Sequence, residues 1–338
     1  MLPKYVKIIN YLEEIILKGE IKPGEKIPSE NELAAKFNTT RMTVRRALKE
    51  LEARQIIKRV PGVGTFIYDS NILSNKKVGV IVHNRRIMYG IISALTMENM
   101  KYFVFDQTGD LNRERESLSQ LLKYGIDGLI IEPYATSAAN ELLSRLIDEG
   151  FPVVFVDRTI PGNFSTPTIL SDNYKGGFLI GKHMVQIHNV RKVLFVSHED
   201  LSIISVRERY SGLSEALGYQ PEIFKLPSLR ADLINLVDYV KNKEIDAVFF
   251  CNDTIALRGI CYFLKFGIKV PNDVKVFGYD DEPFSKITLP SITTIRQYLE
   301  KVGEEAVQTL ISILKKERVE KIKRVDVELV IRESCGCK

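Results

Sequence analysis

Residues 27–67 read IPSENELAAKFNTTRMTVRRALKELEARQIIKRVPGVGTFI, and local signals along this run set the order of its elements. Ser29 followed three residues later by Glu32 is a capping box, so a helix should start at Ser29 and run to about Phe37. Asn38-Thr39-Thr40 is a short turn that offers an N-cap at Thr39 or Thr40. In the helix that follows, Val44, Ala47, Leu48 and Leu51 share one inward face, and Arg41, Thr43, Arg45, Arg46 and Lys49 are left outside. Residues 56–60, the tip Pro61-Gly62-Val63-Gly64 and residues 65–67 then read as a β-hairpin. Upstream, Tyr5, Ile8, Ile9, Leu12, Ile15 and Ile16 recur at helical spacing, Gly19 stops that helix and Pro23-Gly24 makes a tight turn.

This order suits a module that reads DNA. A short turn between two helices lets the third helix enter the major groove, which is wide enough for one helix. Its first turn presents Arg41, Thr43 and Arg45, and its backbone N–H groups and positive dipole end favour a phosphate. The wing-tip glycines leave the backbone bare for a close approach to the minor groove. Charge agrees with this. Residues 36–59 hold eight basic side chains against Glu50 and Glu52, a net +6 in a chain whose total is +5, so the rest is near neutral.

The stretches PGEKIPSENELAAKF, TTRMTVRRALKELEARQIIKRV and PGVGTFI, nearly all of residues 3–68, resemble the GntR family of winged-helix regulators. The resemblance implies contacts to double-stranded operator DNA from Glu30, Thr40, Arg41, Thr43, Arg45 and the wing around Gly62 and Gly64. Lys4 and Arg46 complete the expected DNA-contacting set. Asn31 stands where some members carry Arg.

Beyond a short polar linker the pattern changes to alternating strands and helices. Strand-like runs lie at residues 78–82, 102–105, 128–131 and 153–156, and a second series at 192–196, 223–226, 247–250 and 274–277, with helical patterns between them. The expected fold class is α/β: an N-terminal winged helix-turn-helix, then a two-lobed domain of parallel sheets like a type 1 periplasmic binding protein. The expected domains are a DNA-binding head at 1–68, a linker at 69–76 and an effector-binding and dimerisation domain at 77–338. The two lobes of the last are about 77–188 plus 298–323 and 190–296 plus 325–338.

In open α/β sheets, ligands bind beyond the carboxyl ends of the strands. Those ends carry His83-Asn84, Asp106, Glu132, Asp157-Arg158, Ser197-His198, Asn252-Asp253 and Asp280-Asp281, a polar set suited to a hydroxylated small molecule. Each of these residues taken singly also fits a helix cap. The stretches SDNYKGGFLIGKHMV, RYSGL, CNDTIALRG, PNDVKVFGYDD, LPSITTIRQ and ELVIRESCG resemble the effector domain of the LacI/GalR family. That resemblance implies effector contacts from Arg158, Asp172, Arg209, Asn252, Asp280 and Gln297, with Arg207 a close rival of Arg209, and with His83 and Tyr89 from the N-terminal lobe. The union of a GntR-type head with this domain resembles the arabinose repressors of bacteria. It implies a small sugar effector, L-arabinose first, then other pentoses or hexoses.

Other classes fit less well. Four histidines, His83, His183, His188 and His198, could serve a hydrolase, yet no G-x-S-x-G, P-loop, G-x-G-x-x-G or H-E-x-x-H motif is present. Ser197-His198-Glu199-Asp200 is contiguous in sequence, which does not build a triad. A transported-solute receptor is disfavoured by the basic head and by an N-terminus that lacks a signal-peptide pattern, so the expected location is the cytoplasm. Cys335 and Cys337 are too close for a comfortable disulfide, and no Cys/His pairs fall at zinc-finger spacing. Cys251, Cys261, Cys335 and Cys337 are expected to be reduced thiols, with no metal and no cofactor. The expected assembly is a homodimer away from any membrane.

Overall fold

A computed structural model of the chain describes residues 2–68, 72–105, 110–160, 162–163 and 165–337. Residues 69–71 of the expected linker and the strand-end Asp106 lie outside the described residues. No helix among the described residues is long and apolar enough to cross a membrane. The chain forms two compact units, residues 1–131, 140–154 and 304–320 in the first, and 132–139, 155–303 and 321–338 in the second.

The first unit opens with α1 (Lys4–Leu17), α2 (Glu30–Lys36) and α3 (Arg41–Ala53). Ser29 and Glu32 make both halves of the expected capping box, and Thr40 caps α3 through the Thr43 N–H. β1 (Ile57–Val60) and β2 (Gly64–Ile67) form the antiparallel wing, in the register Lys58 to Phe66. Residues 24–27 lie along its outer edge, with the Ile27 N–H donating to the Thr65 carbonyl at 3.0 Å. Ile8, Leu12, Leu33, Val44, Ala47 and Leu51 are wholly buried and knit the three helices into one small core. Each large aliphatic in it is worth about 1.5–3 kcal/mol of burial, which a head of this size needs.

A 3-10 turn at Ile72–Asn75 follows, where the sequence suggested only a linker. Asn75 donates to the Arg54 carbonyl at 3.2 Å. Glu13 of α1 accepts from Arg54 at 2.9 Å and from Lys76 at 3.2 Å, and Lys76 also reaches Asp127 at 3.0 Å. Burial opposes the Lys76 charge, but the two carboxylates outweigh it and raise its pKa. The unit continues through β3 (Lys77–Ile81), α4 (Arg85–Met97), β4 (Lys101–Phe105), α5 (Leu111–Lys123), β5 (Gly128–Ile131) and α6 (Glu141–Asp148). Its strands lie in the order β4-β3-β5, parallel throughout, and β6 (Val153–Val156) is next beyond β5 and runs on into the second unit.

The second unit holds β7 (Thr168–Ser171), α7 (Asn173–His188), β8 (Val193–Ser197), α8 (Ile204–Leu217), β9 (Glu222–Lys225), α9 (Ile234–Lys243), β10 (Ala247–Phe250), α10 (Asp253–Lys265) and β11 (Lys275–Phe277). After β12 (Thr294–Gln297), α11 (Leu299–Leu314) runs into the first unit, and β13 (Ile322–Val325) and β14 (Val327–Val330) return to the second. Four parallel strands in the order β11-β10-β8-β9 carry its main core, in which Phe195, Phe249 and Phe277 are fully buried. β13 pairs parallel with β7, and β12 pairs antiparallel with β14. β7, β12, β13 and β14 were not anticipated from the sequence. The eight strands anticipated beyond the wing fall within one or two residues of their expected bounds.

α7 and α8 meet backbone to backbone. A Cβ on Gly177 would lie 2.0 Å from the Arg209 carbonyl oxygen, and one on Gly212 would lie 2.0 Å from that of Tyr174. Glycine at these positions permits the approach, and it sets Asn173 of α7 beside Arg209 of α8.

Candidate functional site

On the head, α3 exposes its cations while burying Val44, Ala47, Leu48 and Leu51. Arg41 is exposed at the N-terminal turn, one residue after the Thr40 cap, and Thr43 is half-buried with its hydroxyl 3.1 Å from that of Thr40. Arg45, 57% exposed, donates through Nε to Glu30 of α2 at 2.9 Å, and Arg59 of the wing approaches the same carboxylate at 3.7 Å. Glu30 thus holds an α3 arginine and a wing arginine toward one edge of the head. Arg46 instead stacks its guanidinium over the Tyr5 ring at 3.9 Å, and Lys4 donates to the Asn38 carbonyl. Gly62 at the wing tip has φ 76°, a left-handed turn that also leaves the tip bare, and Gly64 has φ 146°.

In the second unit, Asn173, the Cys251 carbonyl, Tyr279 and Asp280 gather around the buried Arg209. Arg209 donates through Nε to Asn173 Oδ1 at 2.8 Å and through Nη1 to the Cys251 carbonyl at 2.5 Å. Its guanidinium lies 3.7 Å from the centre of the Tyr279 ring, and its Nη2 stands 3.8 Å from Asp280 Oδ1. Gln297 donates to that same Asp280 oxygen at 2.6 Å. Burial opposes the Arg209 charge, but Asp280 foremost outweighs it and raises the pKa. Burial likewise pushes the Asp280 carboxyl up to about 8, against the opposing pull of Arg209.

The loop that presents Asp280 is strained and pinned. Asp280 has φ 115° and Asp281 has φ 52°, conformations that an L-residue keeps only where its surroundings impose them. Asp253, at the head of α10, supplies part of that restraint, accepting from the Ser285 and Thr294 hydroxyls at 2.7 Å and from the Glu282 N–H at 3.0 Å. Burial raises its carboxyl to about 6 in spite of those bonds. Asp281 accepts from Arg296 at 2.7 Å and also from Arg332.

Arg158 forms a second polar centre in this unit, bonded to Glu199 at 3.0 Å and 3.8 Å from Asp157, which has φ 62°. Asp172 and Asn252 are half-buried helix caps, accepting from the Lys175 N–H at 3.0 Å and the Ile255 N–H at 2.9 Å. Arg207 is not brought to the cluster. It is exposed on the other face of α8, where it donates to the Leu201 and Ser202 carbonyls, so of the two rivals Arg209 is the one inside. His83 and Tyr89 are exposed on the first unit. Sequence reasoning missed Asn173 and Tyr279. Both adjoin residues it did single out, Asp172 and Asp280, but their role depends on the α7–α8 approach, which spacing does not reveal.

The four cysteines are free thiols. Two of them, Cys335 and Cys337, lie with His183 and His188, and all four ligand atoms fall within 4.8 Å of one another. The rule of zinc-finger spacing overlooked this group because its two pairs are far apart in the chain.

Comparison with known proteins bears on both regions. Residues 4–67 match the profile of bacterial regulatory proteins of the gntR family, and residues 183–335 match that of a periplasmic binding protein-like domain. The chain is 26% identical to an arabinose metabolism transcriptional repressor of Geobacillus stearothermophilus, with 98% of each chain covered. It is 27% identical to the protein of the same description from Halalkalibacterium halodurans, over 93% of this chain and 90% of that one. In fold it resembles the transcription regulator CcpA of Lactococcus lactis, with TM-score 0.67, 22% identity, and 77% of this chain and 98% of that one covered.

Proposed function

We propose that this chain, which joins a gntR-type helix-turn-helix domain to a periplasmic binding protein-like domain, is a transcriptional repressor that a small sugar releases from its operator. Similarity to two arabinose metabolism repressors over nearly the whole length supports the union of modules and favours L-arabinose as the sugar. In this reading residues 1–68 are the DNA-binding head, 69–76 the linker and 77–338 the effector-binding and dimerisation domain.

The observation that carries the effector half is the buried Arg209 beside Asp280. Arg209 Nη2 and Asp280 Oδ1 are 3.8 Å apart, too far for a direct hydrogen bond and near enough for a hydroxyl to bridge them. A sugar hydroxyl placed there would donate to Asp280 and accept from Arg209, the two-sided pairing that a hydroxyl offers. Gln297 and Asn173 hold the two side chains in place, so little reorganisation is left for the ligand to drive. Arg158, Asp172 and Asn252 are the further effector contacts in this proposal.

The DNA half rests on the exposed face of α3. Arg41, Thr43 and Arg45 serve the major groove. Glu30, Thr40, Arg46 and Lys4 orient that face or meet phosphates, and the wing at Gly62 and Gly64 approaches the minor groove. A homodimer places two such heads on successive half-sites of a two-fold operator.

A thermal-shift screen of the purified chain against common monosaccharides tests the effector half, because a ligand that binds only the folded state raises the melting point. L-Arabinose is expected to give the largest rise. A panel in which no sugar moves the transition would overturn the sugar-sensing reading, and a larger rise with another pentose would reassign the effector.

A further inference from the structure

The geometry points to a zinc-type metal site made by His183, His188, Cys335 and Cys337, which tie the end of α7 to the C-terminal tail. A tetrahedral zinc ion with two sulfur and two nitrogen ligands requires ligand atoms about 3.3–3.8 Å apart, from bond lengths of about 2.0 Å to nitrogen and 2.3 Å to sulfur. Three of the separations here match. His183 Nε2 and His188 Nε2 are 3.2 Å apart, and Cys337 Sγ lies 3.5 Å from His188 Nε2 and 3.7 Å from His183 Nε2. Cys335 Sγ completes the set within the common 4.8 Å.

Two thiolates and two neutral imidazoles balance a divalent cation, and mixed sulfur and nitrogen donors select zinc over calcium or magnesium. With all four positions filled by protein, the site leaves none open for a substrate, so its role is structural.

The backbone holds these groups in place independently of each other. Asn189 in the left-handed conformation ends α7 directly after His188. The residues between Cys335 and Cys337 reverse direction at Gly336, with φ 93°, which turns both sulfurs toward one point. Ser334 anchors that turn, its hydroxyl donating to the Val276 carbonyl at 2.7 Å and accepting the Thr293 N–H at 2.8 Å. The Phe277 ring, 6.0 Å from that of His183 between centres, walls the group on its inner side. α7 starts at Asn173, which bonds Arg209, and ends at this cluster, so a bound ion would brace the helix that positions the effector-side arginine.

Cobalt(II) added to the reduced, metal-free full-length chain tests the site directly, since tetrahedral cobalt has intense visible bands and a thiolate charge-transfer band. The expected result is saturation at one equivalent per chain, displacement of the bands by zinc, and a melting point that the metal raises and a chelator lowers. Cys337→Ser and His188→Ala, both at half-buried positions, should lose the spectrum while their metal-free circular dichroism and melting match the metal-free parent. Cys261→Ser, at an exposed thiol outside the group, should keep it. The absence of tetrahedral bands at stoichiometric cobalt would overturn the assignment, and so would an unaltered spectrum in Cys337→Ser and His188→Ala.

Discussion

Arg209 is a buried cation that draws its partners from three segments far apart in the chain: Asn173, the Cys251 carbonyl, and Tyr279 with Asp280. Replacing it with alanine leaves the Asn173 and Cys251 oxygens without their donor, at about 1–3 kcal/mol each. Arg209→Ala should therefore lower the unfolding free energy, read from urea titration, by about 2–6 kcal/mol and abolish the response to sugar, while operator binding persists. A variant that still releases operator at the parent's sugar concentration takes Arg209 out of the site. Asp280 carries a second, pH-dependent expectation. Its folded pKa of about 8 lies above the ordinary carboxylate value, so the folded chain keeps a proton that the unfolded chain gives up. That contribution is fully present below the ordinary carboxylate range, fades as pH rises toward about 8, and is gone above it. Asp280→Asn cannot titrate. Unfolding free energies measured from pH 5 to 9 should show the parent losing stability relative to this variant across that window, and parallel profiles would refute the shift. At this scale the sequence was partly legible. A polar residue at a strand end could be read as Asp280, Arg158 or Asn252, but Arg207 and Arg209, two residues apart, could be separated only by which face of α8 turns inward.

α3 and the pair α7–α8 are the elements on which the two proposed activities rest. Arg45 extends from α3, and its guanidinium is restrained by Glu30 of α2. Arg45→Ala should cost about 1–3 kcal/mol at the cognate operator and relax selectivity at one base pair. A uniform loss across sequences, with a shallower salt dependence, would show that Arg45 touches phosphate alone. For α7–α8, Gly212→Ala puts a methyl group 2.0 Å from a backbone oxygen, which no rotamer can relieve. Forcing the helices apart should cost about 1–3 kcal/mol, the range for overpacking, and displace Asn173 from Arg209, so sugar response weakens along with stability. A variant as stable and as responsive as the parent would show that the helices can part freely. The head was readable almost to the residue because caps, apolar spacing and a glycine-tipped hairpin are local signals. β7, β12, β13 and β14 were not, for a physical reason. β12 and β14 pair with each other across some thirty residues, β13 is half exposed, and their polar residues resemble loop sequence until the partner strand is known.

Across the whole molecule, charge and hydrophobic pattern divide the labour. A net +6 gathered in residues 36–59 belongs to the head, while the near-neutral remainder builds parallel sheets whose strand ends carry the polar cluster. The cysteine–histidine group was hidden in the sequence because its ligands come from α7 and from the tail, more than 140 residues apart. The two parts act as one regulator only if the sugar binds the two operating states unequally. A hundredfold change in operator affinity needs a differential of about 2.7 kcal/mol, which a few well-paired hydroxyls can supply. Fluorescence anisotropy of the full-length chain on a promoter fragment and on random duplex, with and without L-arabinose, measures this coupling directly. Preferential binding to the promoter fragment, lost as the sugar is added, is the expected outcome. Equal affinity for both duplexes, whatever the sugar, would contradict it.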